Sequence, residues 1–249
     1  MDPLILAVIV GAVLAGFVQG LSGFGFSLTA MSIWAWTLDP KLAAALAVFG
    51  GLTGQLIAAV TVRRGFNLRR LLPFVLGGLA GLPLGIYILP RLDVPLFKAL
   101  LGLLLVVMCP LMFFAGRLPR ITHGGRAADA LAGAAGGIMG GLGGFTGVVP
   151  TLWCTLRDFE KDVQRAVIQN FNLAMLVVTF GTYVVTGIAR RDMLPLFAII
   201  APAMLIPSLL GARLYAGISP AVFRRVVLGL LTLSGAALLV AAVPVLIRR

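Results

Sequence analysis

The residues of this chain that could do chemistry lie in two glycine clusters, each inside a long apolar run. The first runs from Gly16 to Gly25 (GFVQGLSGFG) and the second from Gly137 to Gly147 (GIMGGLGGFTG). Glycine inside a helix costs about 0.5–1 kcal/mol relative to alanine, so clusters this dense predict a helix break, a close backbone approach, or both. The helix that starts after a break carries roughly half a positive charge at its N-terminus, which suits an anion.

The predicted anion site combines these glycines with hydroxyl and amide side chains near the breaks. An amide inside an apolar span is costly unless it faces a cavity or a partner. For Asn170 and Asn172, substrate contact and hydrogen bonding between helices are equally good interpretations. The predicted substrate-binding residues are Gln19, Ser22, Gly23, Gly25, Ser27, Gly143, Gly144, Thr146, Gly147, Thr151, Asn170 and Asn172.

A competing interpretation makes the clusters a packing interface with no ligand. The two interpretations predict opposite results for Gly144→Val. An anion site predicts lost transport with a nearly unchanged melting temperature, and milder effects for Ser22→Ala and Thr146→Ala. A packing interface predicts an unfolded valine variant and silent hydroxyl variants. Packing alone does not explain over-long apolar segments in both halves.

Composition places the chain in a membrane. Of 249 residues, 60% are hydrophobic and 11% charged, and the mean hydropathy is +1.09. These values are typical of an all-α polytopic integral membrane protein. The net charge is +12, but the basic residues lie in short turns between apolar runs. They are interpreted as topology signals rather than as a nucleic-acid surface.

Enzymatic chemistry is not predicted. The two cysteines, Cys109 and Cys154, are isolated within apolar segments and form no metal or disulfide pattern. The sequence has no Walker phosphate loop, catalytic triad or metal-ligand cluster, so no cofactor and no metal are expected. No Asp or Glu lies deep in a span, so no proton relay is visible.

The segment from Leu4 to Leu38 has an unusual length. A bilayer core needs about 20 helical residues, and these 35 residues are too many for one crossing and too few for two. We therefore expect two half-length helices that meet at Gly20–Gly25 in a re-entrant hairpin.

The same plan recurs in the second half. With a shift of 121 residues, five of ten positions of the two clusters match, including Leu21 with Leu142 and Phe24 with Phe145. Three apolar spans follow each cluster. The sequence thus predicts two homologous halves at residues 1–115 and 128–249, joined by a polar linker at 116–127, within one membrane domain. The later spans are predicted at Leu42–Val62, at Leu71–Leu89, from the turn that ends at Lys98 through Ala115, and at Ala166–Ile188, Met193–Leu210 and Val226–Ile247.

The distribution of basic residues favours hairpins. If each glycine segment crosses the membrane once, the two sides carry 11 and 9 basic residues; if each returns to its own side, they carry 13 and 7. The second split is the cleaner positive-inside pattern. Each half then has three full crossings, so the halves are inverted repeats.

These features resemble the sulfite exporter (TauE/SafE) family, also called the toluene sulfonate uptake permease family. The likeness rests on two glycine units, each followed by three spans, and covers nearly the whole chain. The segment from Gly141 to Pro150 is similar to the family's pattern of glycines followed by proline. The first cluster has fewer glycines, and Thr29 stands where the proline would be. The resemblance implies transport of small sulfur-containing anions such as sulfite and organosulfonates.

The predicted function is that of a secondary transporter for such anions in a bacterial-type inner (cytoplasmic) membrane, with the anion held near the midplane by neutral dipoles at modest affinity. Its partners are the small anion and the lipid bilayer, without nucleic acid. The alternative is a membrane scaffold or subunit with no transport of its own. The sequence leaves open the exact substrate, the direction, the coupling ion and association with further copies of the chain.

Overall fold

A computed structural model describes residues 2–22, 25–61, 65–121, 124–214 and 220–248. Within these ranges the chain forms ten α-helices and no β-strand. The helices are α1 (Pro3–Ser22), α2 (Phe26–Trp34), α3 (Pro40–Thr61), α4 (Leu68–Ile88), α5 (Val94–Phe114), α6 (Gly125–Gly143), α7 (Val148–Leu156), α8 (Lys161–Val185), α9 (Leu194–Leu214) and α10 (Pro220–Ile247).

Seven of the described helices are long and apolar enough to cross a membrane, namely α1, α3, α4, α5, α8, α9 and α10. The prediction of three such helices after each glycine cluster is therefore confirmed. The order of one long helix, one short helix and three long helices occurs twice along the chain.

Both glycine clusters interrupt their helices. Gly25 has a φ of 100° and Gly144 a φ of 78°, a left-handed conformation that side chains disfavour and glycine adopts readily. These two glycines are 119 residues apart, so the register of the breaks differs by two from the shift of 121 that best matches the sequences. In this register Ser27 corresponds to Thr146.

The expectation of two half-length helices is wrong about the lengths. The helix before each break has 20 residues in α1 and 19 in α6, and the helix after it has 9 in both α2 and α7. At 1.5 Å per residue, the first arm is about 30 Å long and the second about 13 Å. Each broken segment therefore has one full-length and one short arm.

Each short helix runs back along the long helix before it. At the end of α2, Trp34 Nε1 donates to the carbonyl oxygen of Ala7, near the start of α1, at 3.0 Å. In the second half, Trp153 Nε1 donates to Asp129 Oδ1, near the start of α6, at 2.8 Å. We call α1–α2 the first hairpin and α6–α7 the second hairpin.

The long helix of each hairpin packs on the other half of the chain. The most extensive helix contacts are α4 with α6, α5 with α10 and α1 with α9. Glycines allow close contact in the α4–α6 and α1–α9 interfaces, which we call seams. A Cβ at Gly137 of α6 would lie 2.8 Å from the carbonyl carbon of Gly78 in α4, and a Cβ at Gly20 of α1 would lie 2.8 Å from the carbonyl carbon of Ser208 in α9. Small residues let helix backbones approach in this way in membranes.

This packing generates a stability prediction. Gly137→Ala should lower the melting temperature of the purified protein, because the added methyl group meets backbone that cannot rotate away. Overpacking typically costs about 1–3 kcal/mol, which corresponds to about 2–4 °C per kcal/mol for a chain of this size.

The matched control is Gly229→Ala in α10, where an added Cβ has nothing within 4 Å. It should leave the melting temperature unchanged or raise it slightly, since alanine is the better helix former. Equal melting temperatures for the two variants would contradict the tight glycine seam.

Candidate functional site

The tips of the two hairpins meet at a small cavity of about 30 Å³, which we call the central cavity. Residues from α3 and α8 complete its wall, and they lie near the middle of both helices. The lining residues are Gln19, Gly25, Phe26, Ser27, Leu28, Gly51, Gln55, Gly144, Phe145, Thr146, Gly147, Val148, Asn172 and Leu176.

The N-termini of both short helices face the central cavity. Helix α2 starts at Phe26, directly after Gly25, and α7 starts at Val148, directly after Gly147. Neither glycine has a side chain that could cap its helix. The first N–H groups of a helix lack partners within that helix. Each N-terminus also carries roughly half a positive charge, which the C-termini of α1 and α6 at the same tips oppose, so the helix ends present at most about one positive charge to the cavity.

Gln19 supplies a hydrogen-bond donor at the same place. Its side chain is only 4% exposed, and its Oε1 accepts from the backbone N–H of Phe26 at 3.2 Å. Its Nε2 has no hydrogen-bond partner in the described part of the chain. A buried unpaired donor costs about 1–3 kcal/mol, which an acceptor atom in the cavity would recover.

The other half contributes a buried pair of polar side chains. Thr146 Oγ1 donates to Asn172 Oδ1 at 2.8 Å, and both residues are 2% exposed. Asn172 also lies against Gly147, where a Cβ would come within 2.7 Å of the amide nitrogen. This contact fixes the asparagine amide beside the start of α7.

The structure brings seven of the predicted residues together and leaves four elsewhere. The seven that line the cavity are Gln19, Gly25, Ser27, Gly144, Thr146, Gly147 and Asn172. Gly23 falls outside the described residues.

The remaining four have other surroundings. Ser22 Oγ donates to the carbonyl oxygen of Val18 at 2.7 Å. Asn170 Nδ2 donates to the carbonyl oxygens of Gly65 at 3.0 Å and Ala166 at 2.9 Å. Gly143 packs against Met31 and Phe145, and Thr151 is buried within α7.

Seven lining residues lie outside the predicted set, and two of them, Gly51 and Gln55, come from α3. They stand four residues apart, one helical turn, in the middle of an apolar span. A polar residue at that depth is a usable signal, since buried amides in membranes face cavities or partners.

Sequence reasoning also missed a charged cluster at the far end of the second hairpin. Asp129 is 2% exposed and lies 3.9 Å from Arg157 Nη1. The same carboxylate accepts the Trp153 hydrogen bond. Asp129 belongs to α6, whereas Trp153 belongs to α7 and Arg157 directly follows α7. The cluster therefore joins the short helix of the second hairpin to the long one.

The geometry changes what Gly144→Val can test. With a φ of 78°, this position disfavours any side chain, and a Cβ would lie 2.7 Å from Ser27 Oγ. A β-branched residue there is strained, so the expected intact fold does not follow, and instability would arise under both interpretations. Other substitutions must separate an anion site from a packing interface.

The two asparagines of α8 provide such a test. Asn172→Ala should weaken anion binding about ten-fold, because it removes a cavity amide and leaves the Thr146 hydroxyl without its acceptor. Asn170→Ala should leave binding unchanged and lower the melting temperature, because its amide joins α8 to the loop before α4. Calorimetric titration of both purified variants with sulfite measures this, and equal loss of affinity in both would contradict the assignment.

The model of the family described as "Sulfite exporter TauE/SafE" matches residues 8–238. No curated protein and no solved structure matches the chain. The matched range begins within α1 and ends within α10, so it includes both hairpins and the central cavity. Together with the seven apolar helices, the match indicates a multi-pass membrane protein built for transport. The chain belongs to the sulfite exporter TauE/SafE family.

Proposed function

We propose that this protein is a secondary transporter that moves small sulfur-containing anions, sulfite or organosulfonates, across the cytoplasmic membrane. The central cavity is the proposed substrate site. The observation that carries the proposal is the convergence of two helix N-termini on one buried cavity that also holds the unpaired Gln19 Nε2.

The cavity offers the interactions that an oxyanion needs. A helix N-terminus contributes about 0.3–1 kcal/mol to binding an anion, and up to about 2 kcal/mol when partly buried. A hydrogen bond to a charged group adds about 1.5–3 kcal/mol. Two helix ends and a few such bonds correspond to micromolar to millimolar affinity, which is suitable for a carrier that must also release its cargo.

The position of the cavity supports alternating access. Gly51 and Gln55 lie near the middle of α3, and Asn172 and Leu176 near the middle of α8, so the site is about equally far from both ends of two full-length helices. Secondary transporters bind substrate at this depth, between repeats and at discontinuous helices. Rocking of one half against the other would expose such a site to each side in turn.

Two contacts support the inverted arrangement of the halves. The guanidinium of Arg70, in the first turn of α4, lies 5.1 Å from the ring centre of Phe159, after α7. Arg225 lies 6.0 Å from the ring of Phe113 at the end of α5. If each hairpin segment crossed the membrane once, both pairs would be split between opposite faces. We therefore propose re-entrant hairpins and inverted repeats at 1–115 and 128–249, with a linker at 116–127.

This topology predicts a labelling pattern. In a background without Cys109 and Cys154, cysteines placed at Asp2 and Lys41 should react with an impermeant thiol reagent from the same face of the membrane. A cysteine at Arg70 should react from the opposite face. Labelling of the first two positions from opposite faces would contradict both the hairpin and the inverted repeat.

The transport function is testable with the purified chain in liposomes. The unaltered protein should move labelled sulfite, and Gly51→Ala should slow this flux. An added Cβ at Gly51 would lie 3.3 Å from Ser27 Oγ, a slightly tight contact, and 3.5 Å from Leu176, an ordinary one, so the helix is kept while the methyl group occupies the site. A steric cost of about 1–3 kcal/mol to the bound anion corresponds to an effect of about five- to 160-fold.

The matched control is Gly181→Ala in α8, where a Cβ has nothing within 4 Å and flux should be unchanged. Both variants should keep the parent melting temperature. A purified chain that moves no sulfite would favour the alternative, a membrane scaffold or subunit without transport of its own.

A further inference from the structure

The charge of the central cavity narrows the substrate further. Resting on the proposed function, we infer that the cavity selects singly charged oxyanions. It takes sulfite as hydrogen sulfite and excludes the doubly charged form.

The first step is a charge balance. Among the described residues, none that lines the cavity is Lys, Arg, Asp or Glu. The positive potential comes from the N-termini of α2 and α7, each equivalent to roughly half an elementary charge. The C-termini of α1 and α6 end at the same tips and oppose this potential, so it balances at most one negative charge and leaves a second one uncompensated. Burying an uncompensated charge is strongly unfavourable.

The helices around the cavity carry few charged or titratable side chains, and none of these lies in its wall. Helices α1 and α2 carry no titratable or charged side chain, and α3 carries only Lys41 at its start, ten residues or about 15 Å before Gly51. On α6, α7 and α8 the titratable and charged residues are Arg126, Asp129, Cys154, Lys161, Asp162, Arg165 and Tyr183. None of these lines the cavity.

Three of those residues, Asp129, Cys154 and Tyr183, are buried, and the first and third have hydrogen-bond partners. Asp129 pairs with Trp153 and Arg157 at the far end of the second hairpin. The Tyr183 hydroxyl donates to the carbonyl oxygen of Gly141 at 2.8 Å. The described part of the cavity therefore has no group of its own that could gain or lose a charge to match a dianion.

The hydrogen-bonding groups of the cavity wall also fit a singly charged oxyanion. Gln19 Nε2 is a donor without a partner in the described chain, so it suits an oxygen of the anion. Ser27 Oγ also lines the cavity, and a hydroxyl can accept as well as donate a hydrogen bond. A singly protonated oxyanion has both acceptor oxygens and one proton to donate, and this wall serves both.

The experiment uses the unaltered protein in lipid nanodiscs and measures affinity by calorimetry from mildly acidic to mildly alkaline pH. Sulfite changes from one to two negative charges near neutrality. Methanesulfonate carries the same SO₃ group with one charge throughout this range, and sulfate is of similar size to methanesulfonate but carries two charges. The three anions thus separate charge from size and from any effect of pH on the protein.

We expect the apparent affinity for sulfite to fall about ten-fold per pH unit on the alkaline side of its titration, because only the singly charged fraction binds. Methanesulfonate affinity should stay constant, and sulfate should bind far more weakly than methanesulfonate at every pH.

Sulfite affinity that stays constant or rises with pH would overturn the inference, as would sulfate binding as tightly as methanesulfonate. A parallel loss of sulfite and methanesulfonate binding would also overturn it, because the protein itself would then be titrating. If none of the three anions binds at any pH, the proposed anion site fails, and this result is distinguishable from a site with the wrong charge preference.

Discussion

The structure depends on one constraint, the need to satisfy backbone polar groups where a helix is broken at membrane depth. Lipid offers these groups no hydrogen bonds, so irregular backbone survives only when protein or a polar cavity surrounds it. Here the two breaks are buried against one another. Gln19 accepts from the first N–H of α2, and the backbone N–H of Gly144 donates to Gly140. A Cβ on Gly144 would reach Ser27 of the opposite tip, so each break forms part of the wall around the other.

Glycine serves this arrangement in two different ways. At Gly144 it permits the left-handed conformation that caps the end of α6, and at Gly25 the left-handed conformation that directly precedes α2. Along the α1–α9 and α4–α6 seams it permits close backbone contact between the two halves. The close packing along the seams holds in place the hairpin tips that the break glycines form. The proposed substrate binding and the observed helix packing, which began as competing interpretations of the glycine clusters, therefore belong to different glycines of the same segments.

The sequence predicted the spans and the breaks because both follow from local composition: runs of apolar residues and dense glycine. It did not predict arm lengths, because glycine is frequent before the breaks as well as in them. It could not separate Asn170 from Asn172. Side chains two positions apart on a helix point in directions that differ by about 200°, and only the packing of the helix shows which of them faces inward. The sequence also did not predict that Gly51 and Gln55 line the cavity. Their place there depends on the tertiary contact of α3 with the hairpin tips, which the sequence of one segment alone does not show.

The two hairpins are closed at their open ends by unequal means. The first has a single hydrogen bond from an indole to a backbone carbonyl, whereas the second has an indole, a carboxylate and a guanidinium in one buried group. A bond to backbone survives most side-chain changes nearby, but a buried carboxylate must keep its partners or its charge becomes costly. The order of the helices repeats, but these closing contacts do not. The second hairpin is closed by a buried charged group, and the first by a contact that can be released without leaving an ion unpaired.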